Sequence, residues 1–201
     1  MVTEAAYPVS VTGELDPEMG TLLWLIKWLL AIPHVIVLFF LGIAFFFLTV
    51  WALFAIAFTG RYPRGIFNFN VGVLRWLWRV SFYAYSALGT DRYPPFSLSS
   101  RDYPANLEVE YPENLSRGLV WVKWWLLAIP HYVVISIISG GQRGPGLATV
   151  LAVFGAVGRL FKGQYPADIF TLVMGFNRWT LRVMAYAALM TDRYPPFRLE
   201  E

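Results

Sequence analysis

Residues 24–34 read WLIKWLLAIPH, and residues 121–131 read WVKWWLLAIPH. The likeness continues outward from both. GRYPRGIFNFNVGVLRWLWRV (60–80) is answered by GQYPADIFTLVMGFNRWTLRV (163–183), and TDRYPPFSL (90–98) by TDRYPPFRL (191–199). Punctuation kept in the same order marks a tandem duplication of one unit of roughly 95–100 residues. The chain therefore divides into a first repeat unit, 1–100, and a second of the same plan, 101–201. Each anomaly in one copy can be tested against the other.

Composition decides the medium. Of 201 residues, 57% are hydrophobic and 18% aromatic, and only 14% are charged, against about 25% in a soluble domain. From His34 to Phe58 no side chain other than His34 can carry a charge, and the run exceeds the roughly 20 residues needed to cross a bilayer. These features predict an integral membrane protein. Residues 1–20 carry Glu4, Glu14, Asp16 and Glu18 with no basic start and no small-residue cleavage site, so they do not read as a signal peptide. The lack of cysteine excludes a disulfide framework and a thiolate metal site.

Each unit opens with an alternating polar segment, Tyr7 to Thr12 and Asn106 to Tyr111, whose period of two suggests a strand. Trp24, Lys27 and Trp28, and their counterparts Trp121, Lys123, Trp124 and Trp125, resemble the headgroup-level start of a membrane helix with a snorkelling lysine. The helix runs through Ala-Ile-Pro-His. In the second unit it stops at the turn SGGQRGPG (139–146), and in the first, six residues shorter here, the matching turn is expected near Gly42. Return helices follow over about 44–59 and 147–161. After Gly-x-Tyr-Pro comes a third helix of about 20 residues, with Gly72, Arg75 and Arg79, or Gly175, Arg178 and Arg182, on one face. Pro-Pro then ends it.

Arginine at a bilayer centre costs about 2.5–3.5 kcal/mol on insertion scales, which argues against the third helices crossing. If only the hairpins cross, all basic residues except Lys27, Lys123 and Arg143 fall on the side of the termini, as the positive-inside rule prefers. The fold expected is an all-α membrane protein. Tandem duplicated hairpins supply four membrane helices, accompanied by two interfacial amphipathic helices, with both termini cytoplasmic. A first hairpin that enters and leaves without fully crossing is the alternative. The segments 8–12, 96–99, 106–110 and 196–200 would share one side and pair as a small cytoplasmic β cap.

The Leu-Leu-Ala-Ile-Pro-His motif, the Gly-x-Tyr-Pro break and the Thr-Asp-Arg-Tyr-Pro-Pro-Phe ending resemble the prokaryotic membrane family catalogued as domain of unknown function 4389. The likeness spans essentially the whole chain and is closer in the second unit than in the first, where VSVTGELDPEMG replaces the opening segment. The resemblance implies a prokaryotic cytoplasmic membrane; members are common among actinobacteria. It implies no accepted activity and no catalytic residues.

Three sets of residues are candidates for function. His34 and His131, the only histidines, each follow a proline inside an apolar helix. The imidazoles either help satisfy the carbonyl that proline frees, at Leu29 or Leu126, or face each other as haem or metal ligands. Nearby carboxylate or thiolate ligands are missing, so no metal is assigned. Arg75, Arg79, Arg178 and Arg182, flanked by Trp76 and Trp179, match a belt that binds anionic lipid headgroups. The alternative is that they pair with Asp91 and Asp192 or with exposed carbonyls. Gly72 and Gly175 on that face indicate close approach of another backbone, the twin helix or its hairpin. Asp91-Arg92 and Asp192-Arg193 read as local structural ion pairs closing each unit.

No nucleophile triad, phosphate loop or metal cluster is visible, and the basic residues lie among interfacial aromatics, which excludes nucleic acid. No enzymatic activity, cofactor or catalytic residue is assigned. The expectation is a non-enzymatic scaffold or accessory subunit of a larger membrane complex, contacting anionic lipid and either other subunits or further copies of itself. Transport through the repeat interface is one alternative. A haem-binding electron carrier using His34 and His131 is the other.

Overall fold

The structure, a computed structural model, describes residues 7–20, 22–140, 146–162 and 164–199. Two short strands, β1 (Val9–Gly13) and β2 (Ala105–Val109), pair antiparallel with Val11 opposite Leu107 at the centre. They come from corresponding places in the two units, so the rung Val11–Leu107 lies on a pseudo-two-fold axis. The segments 96–99 and 196–199 form no strand, and residue 200 lies outside the described residues. The expected cap of four strands is therefore a single pair.

After a 3₁₀ turn at Leu23–Leu25, α1 (Lys27–Thr59) runs unbroken for 33 residues, about 50 Å at the usual rise. This corrects the turn expected at Gly42, and with it the first hairpin, re-entrant or crossing. Six residues are missing there relative to the second unit, and what they remove is the whole turn. The remaining Gly42 costs about 1 kcal/mol as a helix interior, too little to stop a helix flanked by Leu41, Ile43 and Ala44. Pro33 sits inside it. Gly60, at φ 72, closes α1 with its N–H on Ile56 O, and α2 (Arg64–Tyr83) follows.

The second unit does break. A 3₁₀ turn (Leu119–Trp121) and a π turn (Lys123–Leu127) lead into α3 (Ile129–Ser139), which ends on Gly140 at φ 93; α4 (Leu147–Lys162) and α5 (Ala167–Ala187) complete it. Residues 141–145 of the expected turn, Arg143 among them, fall outside the described residues. The π turn has a legible cause. Between Lys123 and His131 there is one residue more than between Lys27 and His34. A single π turn absorbs one extra residue without rotating the helix beyond it, so lysine and histidine both keep their places.

α2 packs on α1 and β2, and α5 packs on α4 and β1. Neither is a surface element: Trp78, Arg79 and Phe82 of α2, and Val173, Val183 and Tyr186 of α5, are at most 2% exposed. The outside is apolar instead. Among the described residues, large hydrophobic side chains are exposed along 22–58, 121–137 and 147–161, and elsewhere at Tyr93, Phe96, Leu172, Tyr194 and Phe197. The molecule is mostly helical, and among the described residues one helix, α1, is long and apolar enough to cross a membrane, with an 18-residue window of mean hydropathy 2.7 that is 6% buried. α3 and most of α4 are shorter apolar helices.

The repeats are interlocked. Tyr62 of the first unit donates to Ala188 O of the second at 3.3 Å, and its twin Tyr165 donates to Ala87 O of the first at 3.3 Å. Tyr7 donates to Arg193 O, and Tyr103 to Arg92 O. Ala52 and Ile56, on α1, join the core of Ala188 and Leu189, while Ala152 and Ala156, on α4, pack with Leu88 and Trp24. The four tyrosine hydrogen bonds form two reciprocal pairs across the axis.

Candidate functional site

The lysines are the first surprise. Lys27 and Lys123 are each 1% exposed rather than snorkelling. Lys27 Nζ donates to Thr90 O at 2.7 Å and to Asp91 Oδ1 at 2.9 Å. Lys123 Nζ donates to Thr191 O at 3.0 Å and to Asp192 Oδ1 at 2.7 Å. The rings of Tyr83 and Tyr186 lie 5.0 and 5.7 Å from the two ammonium groups, within cation–π reach. Each aspartate's second oxygen accepts a backbone N–H, from Gly20 and from Ser116. The threonine carbonyls follow Leu88 and Leu189, both held at positive φ (54 and 67), a strained state for leucine found at the same place in both units. Asp91 and Asp192 therefore pair with the opening lysines, not with the adjacent arginines as expected. Arg92 instead makes an exposed pair with Asp102 at 3.3 Å.

The histidines sit in matching aromatic cages. Trp76 Nε1 donates to His34 Nδ1 at 3.0 Å, and Trp179 Nε1 to His131 Nδ1 at 3.1 Å. Phe96 stacks on His34 at 3.9 Å and Phe197 on His131 at 4.3 Å; Tyr93 and Tyr194 close the sides. A nitrogen that accepts carries no proton, so the proton of each neutral ring is on Nε2, which is buried in both cages and has no hydrogen-bond partner among the described residues. Neither imidazole turns to the proline-freed carbonyl, as one expectation had it. Nor does either stack on the other: each belongs to the TDRYPPF ending of its own unit. Among the described residues no group of three or more His, Cys, Asp or Glu could hold a metal ion.

The arginine face looks inward. The bonds Glu14 N to Pro104 O and Glu110 N to Pro8 O make the even-numbered residues of β1 the paired rungs, so the carbonyls of Val11 and Leu107 point away from the partner strand. Arg75 Nε takes Leu107 O at 2.9 Å, and Arg178 Nε takes Val11 O at 3.1 Å. Arg75 also reaches Leu98 O at 3.0 Å, and Arg79 holds Ser97 O and Ser99 O at 3.2 and 2.8 Å. Arg182, 3% exposed, lies 5.7 Å from the Tyr7 ring. Trp76 and Trp179 are buried at 6% and 8%. These groups do for the extended chain what a further strand would do. Gly72 and Gly175 permit it: an added Cβ would stand 2.8 Å from Leu98 Cβ, or 2.7 Å from Leu199 Cβ. The close approach is real, but the partner is the chain after Pro-Pro rather than the twin helix. Burial raises the Tyr7 and Tyr103 phenols well above their usual range, against a weaker opposing pull from nearby arginines. Burial likewise pushes Tyr62 up to about 12.

With the geometry in view, comparison adds one result. The model of the family described as Domain of unknown function (DUF4389) matches residues 23–97 and again residues 118–198. The chain belongs to that family. Both DUF4389 segments contain the lysine, histidine, arginine and aspartate just described, while β1 and β2 lie outside them. No curated protein and no solved structure matches the chain.

Sequence reasoning found the histidines and arginines but missed the lysine–aspartate pairs. The signal was present: a lysine inside an apolar helix start and an aspartate before Arg-Tyr-Pro-Pro, each kept in both copies.

Proposed function

We propose that the protein is a non-enzymatic integral membrane scaffold or accessory subunit of a larger membrane complex. One observation carries this: along two helical stretches the surface is apolar and the charged groups are buried. Over residues 22–58 the ionisable groups are Lys27 and His34, at 1% and 0% exposure, amid exposed Phe39, Phe40, Phe46, Phe47 and Trp51. Over 121–140 the corresponding groups are Lys123 and His131, at 1% and 0%, again among exposed apolar side chains. A surface of this kind suits hydrocarbon, not water. Each buried cation has carbonyl, carboxylate or aromatic partners, a pattern of architecture rather than of reactive groups. In this reading α1 and the α3–α4 hairpin face the lipid of the cytoplasmic membrane. Their exposed aromatics also offer contact to neighbouring subunits or to a second copy.

The test is native mass spectrometry on the protein extracted gently from its own membrane. Co-eluting, stoichiometric protein subunits are the expected result; a lone chain that binds nothing overturns the accessory-subunit reading. A second reading rests on a cavity of about 130 Å³ between the units. Leu77, Trp78 and Ser81 of α2 meet the corresponding Thr180, Leu181 and Met184 of α5 there, and Asn177 and Ser86 add polar groups. Such a place at the repeat interface suits a transport component. Uptake of small uncharged solutes into proteoliposomes, lost on Ser81→Leu, would favour that reading over the scaffold.

A further inference from the structure

The two units are alike in their buried charges and unlike at one exposed corner. Where α1 ends, Arg61 and Arg64 are exposed, and the side chain of Arg117 lies across Gly60, 3.5 Å from where a Cβ would be. Leu115 N bonds Gly60 O at 2.8 Å, holding this second segment against the helix end. Arg64 stacks over Tyr111 at 4.2 Å and pairs with Glu113 at 3.6 Å, both side chains being largely exposed. A cleft of about 420 Å³ opens here, lined by Thr59, Arg61, Arg64, Tyr111 and Glu113 among others.

The fold does not require these cations. The positions corresponding to Arg61 and Arg64 in the second unit are Gln164 and Ala167, and α5 starts there just as α2 starts here, from an extended proline. Immediately before the corner stand Phe54 and Phe58, 49% and 77% exposed, with Trp121 against Phe54 at 6.2 Å. Three guanidinium groups against one carboxylate, set where an exposed apolar helix ends beside aromatic rings, are suited to a phosphate at the boundary between hydrocarbon and water. We propose that this corner binds the headgroup phosphate of an anionic phospholipid. Arg61, Arg64 and Arg117 supply the donors, and Glu113 holds Arg64 when the site is empty. The inference rests on the reading that α1 lies in the membrane.

The experiment uses the full chain in phosphatidylcholine nanodiscs doped with phosphatidylglycerol. Retained anionic lipid is counted by native mass spectrometry for wild type, R61Q/R64Q/R117Q and E113Q. At roughly fivefold per arginine near such a surface, the triple variant is expected to lose about a hundredfold in phosphatidylglycerol retention. E113Q is expected to retain several-fold more than wild type, an effect of opposite sign that no folding defect imitates. Equal retention by wild type and triple variant overturns the proposal. So does arginine-dependent binding of inorganic phosphate, in undoped nanodiscs, that matches the lipid in strength, since the site then serves a soluble anion. Alkaline carbonate extraction of wild type is read separately. Release from the membrane there refutes the membrane reading itself, whereas failure of the lipid counts alone refutes only the corner.

Discussion

A buried ammonium has few ways to exist. Lys27 is tolerated because Asp91 and the Thr90 carbonyl meet it within hydrogen-bond distance, so removing one partner strands the other in low dielectric. K27M is expected to cost about 3–5 kcal/mol, read as the loss of thermal stability in detergent, with D91N similar and the double variant K27M/D91L recovering much of the loss. An additive double variant would contradict the pairing. W76F leaves His34 Nδ1 without its donor and should cost about 1–3 kcal/mol, with H34F/W76F milder than either single change predicts. Tyr62 gives a pH signature. Its phenol ordinarily ionises near 10.0 and is held to about 12 by burial. The folded state thus keeps a proton that the unfolded state gives up. Its stabilising contribution is complete below pH 10 and falls as pH rises toward 12, by up to about 2–3 kcal/mol. Alkaline unfolding followed by circular dichroism should flatten in Y62F over that window. The residues behind these effects were unevenly visible in sequence. The tryptophan–histidine cage joins residues in α1 and α2, or in α3 and α5, that neither spacing nor periodicity connects; the lysines resembled headgroup anchors because their aspartates lie more than sixty residues away.

At the scale of elements, the two copies serve as each other's control. Repeat, opening strands and third helices were legible, because hydrophobic period and Pro/Gly punctuation are local properties. The straightness of α1 was not, because an alignment gap shows that residues are missing but not whether a turn survives their loss. The inward direction of the arginine face was also hidden: charge on an amphipathic helix looks the same whether it meets headgroups or the outward carbonyls of a strand. The π turn offers a direct test. Deleting Trp125 leaves Lys123-Trp-Leu-Leu-Ala-Ile-Pro-His, the spacing that the first unit accommodates as regular helix. The deletion should shift thermal stability by no more than about 1 kcal/mol, since a single-residue π-bulge is what it removes. A collapse of stability would show that the turn does more than absorb a residue.

On the scale of the whole molecule, the units are exchanged rather than merely adjacent. β1 lies on α5, β2 lies on α2, and Tyr7, Tyr62, Tyr103 and Tyr165 each bond across the axis. Neither half contains a complete set of partners for its own strand. Chains 1–100 and 101–201, expressed separately, are expected to be degraded or aggregated, and co-expressed with a tag on one half they should purify as a one-to-one pair. L107D, placed at the centre of the strand pair, should abolish that recovery. Independent folding of either half would refute the exchange.

The reciprocity of these contacts has a consequence for how the chain is kept folded. Two separate chains bound this way would be at the mercy of mass action, folding together only as often as they met and parting whenever diluted. Joining them in one polypeptide makes the encounter intramolecular. A cell can then keep very few copies without losing the folded form, and the two units are free to differ, as Arg61 and Arg64 differ from Gln164 and Ala167, while the shared frame is kept.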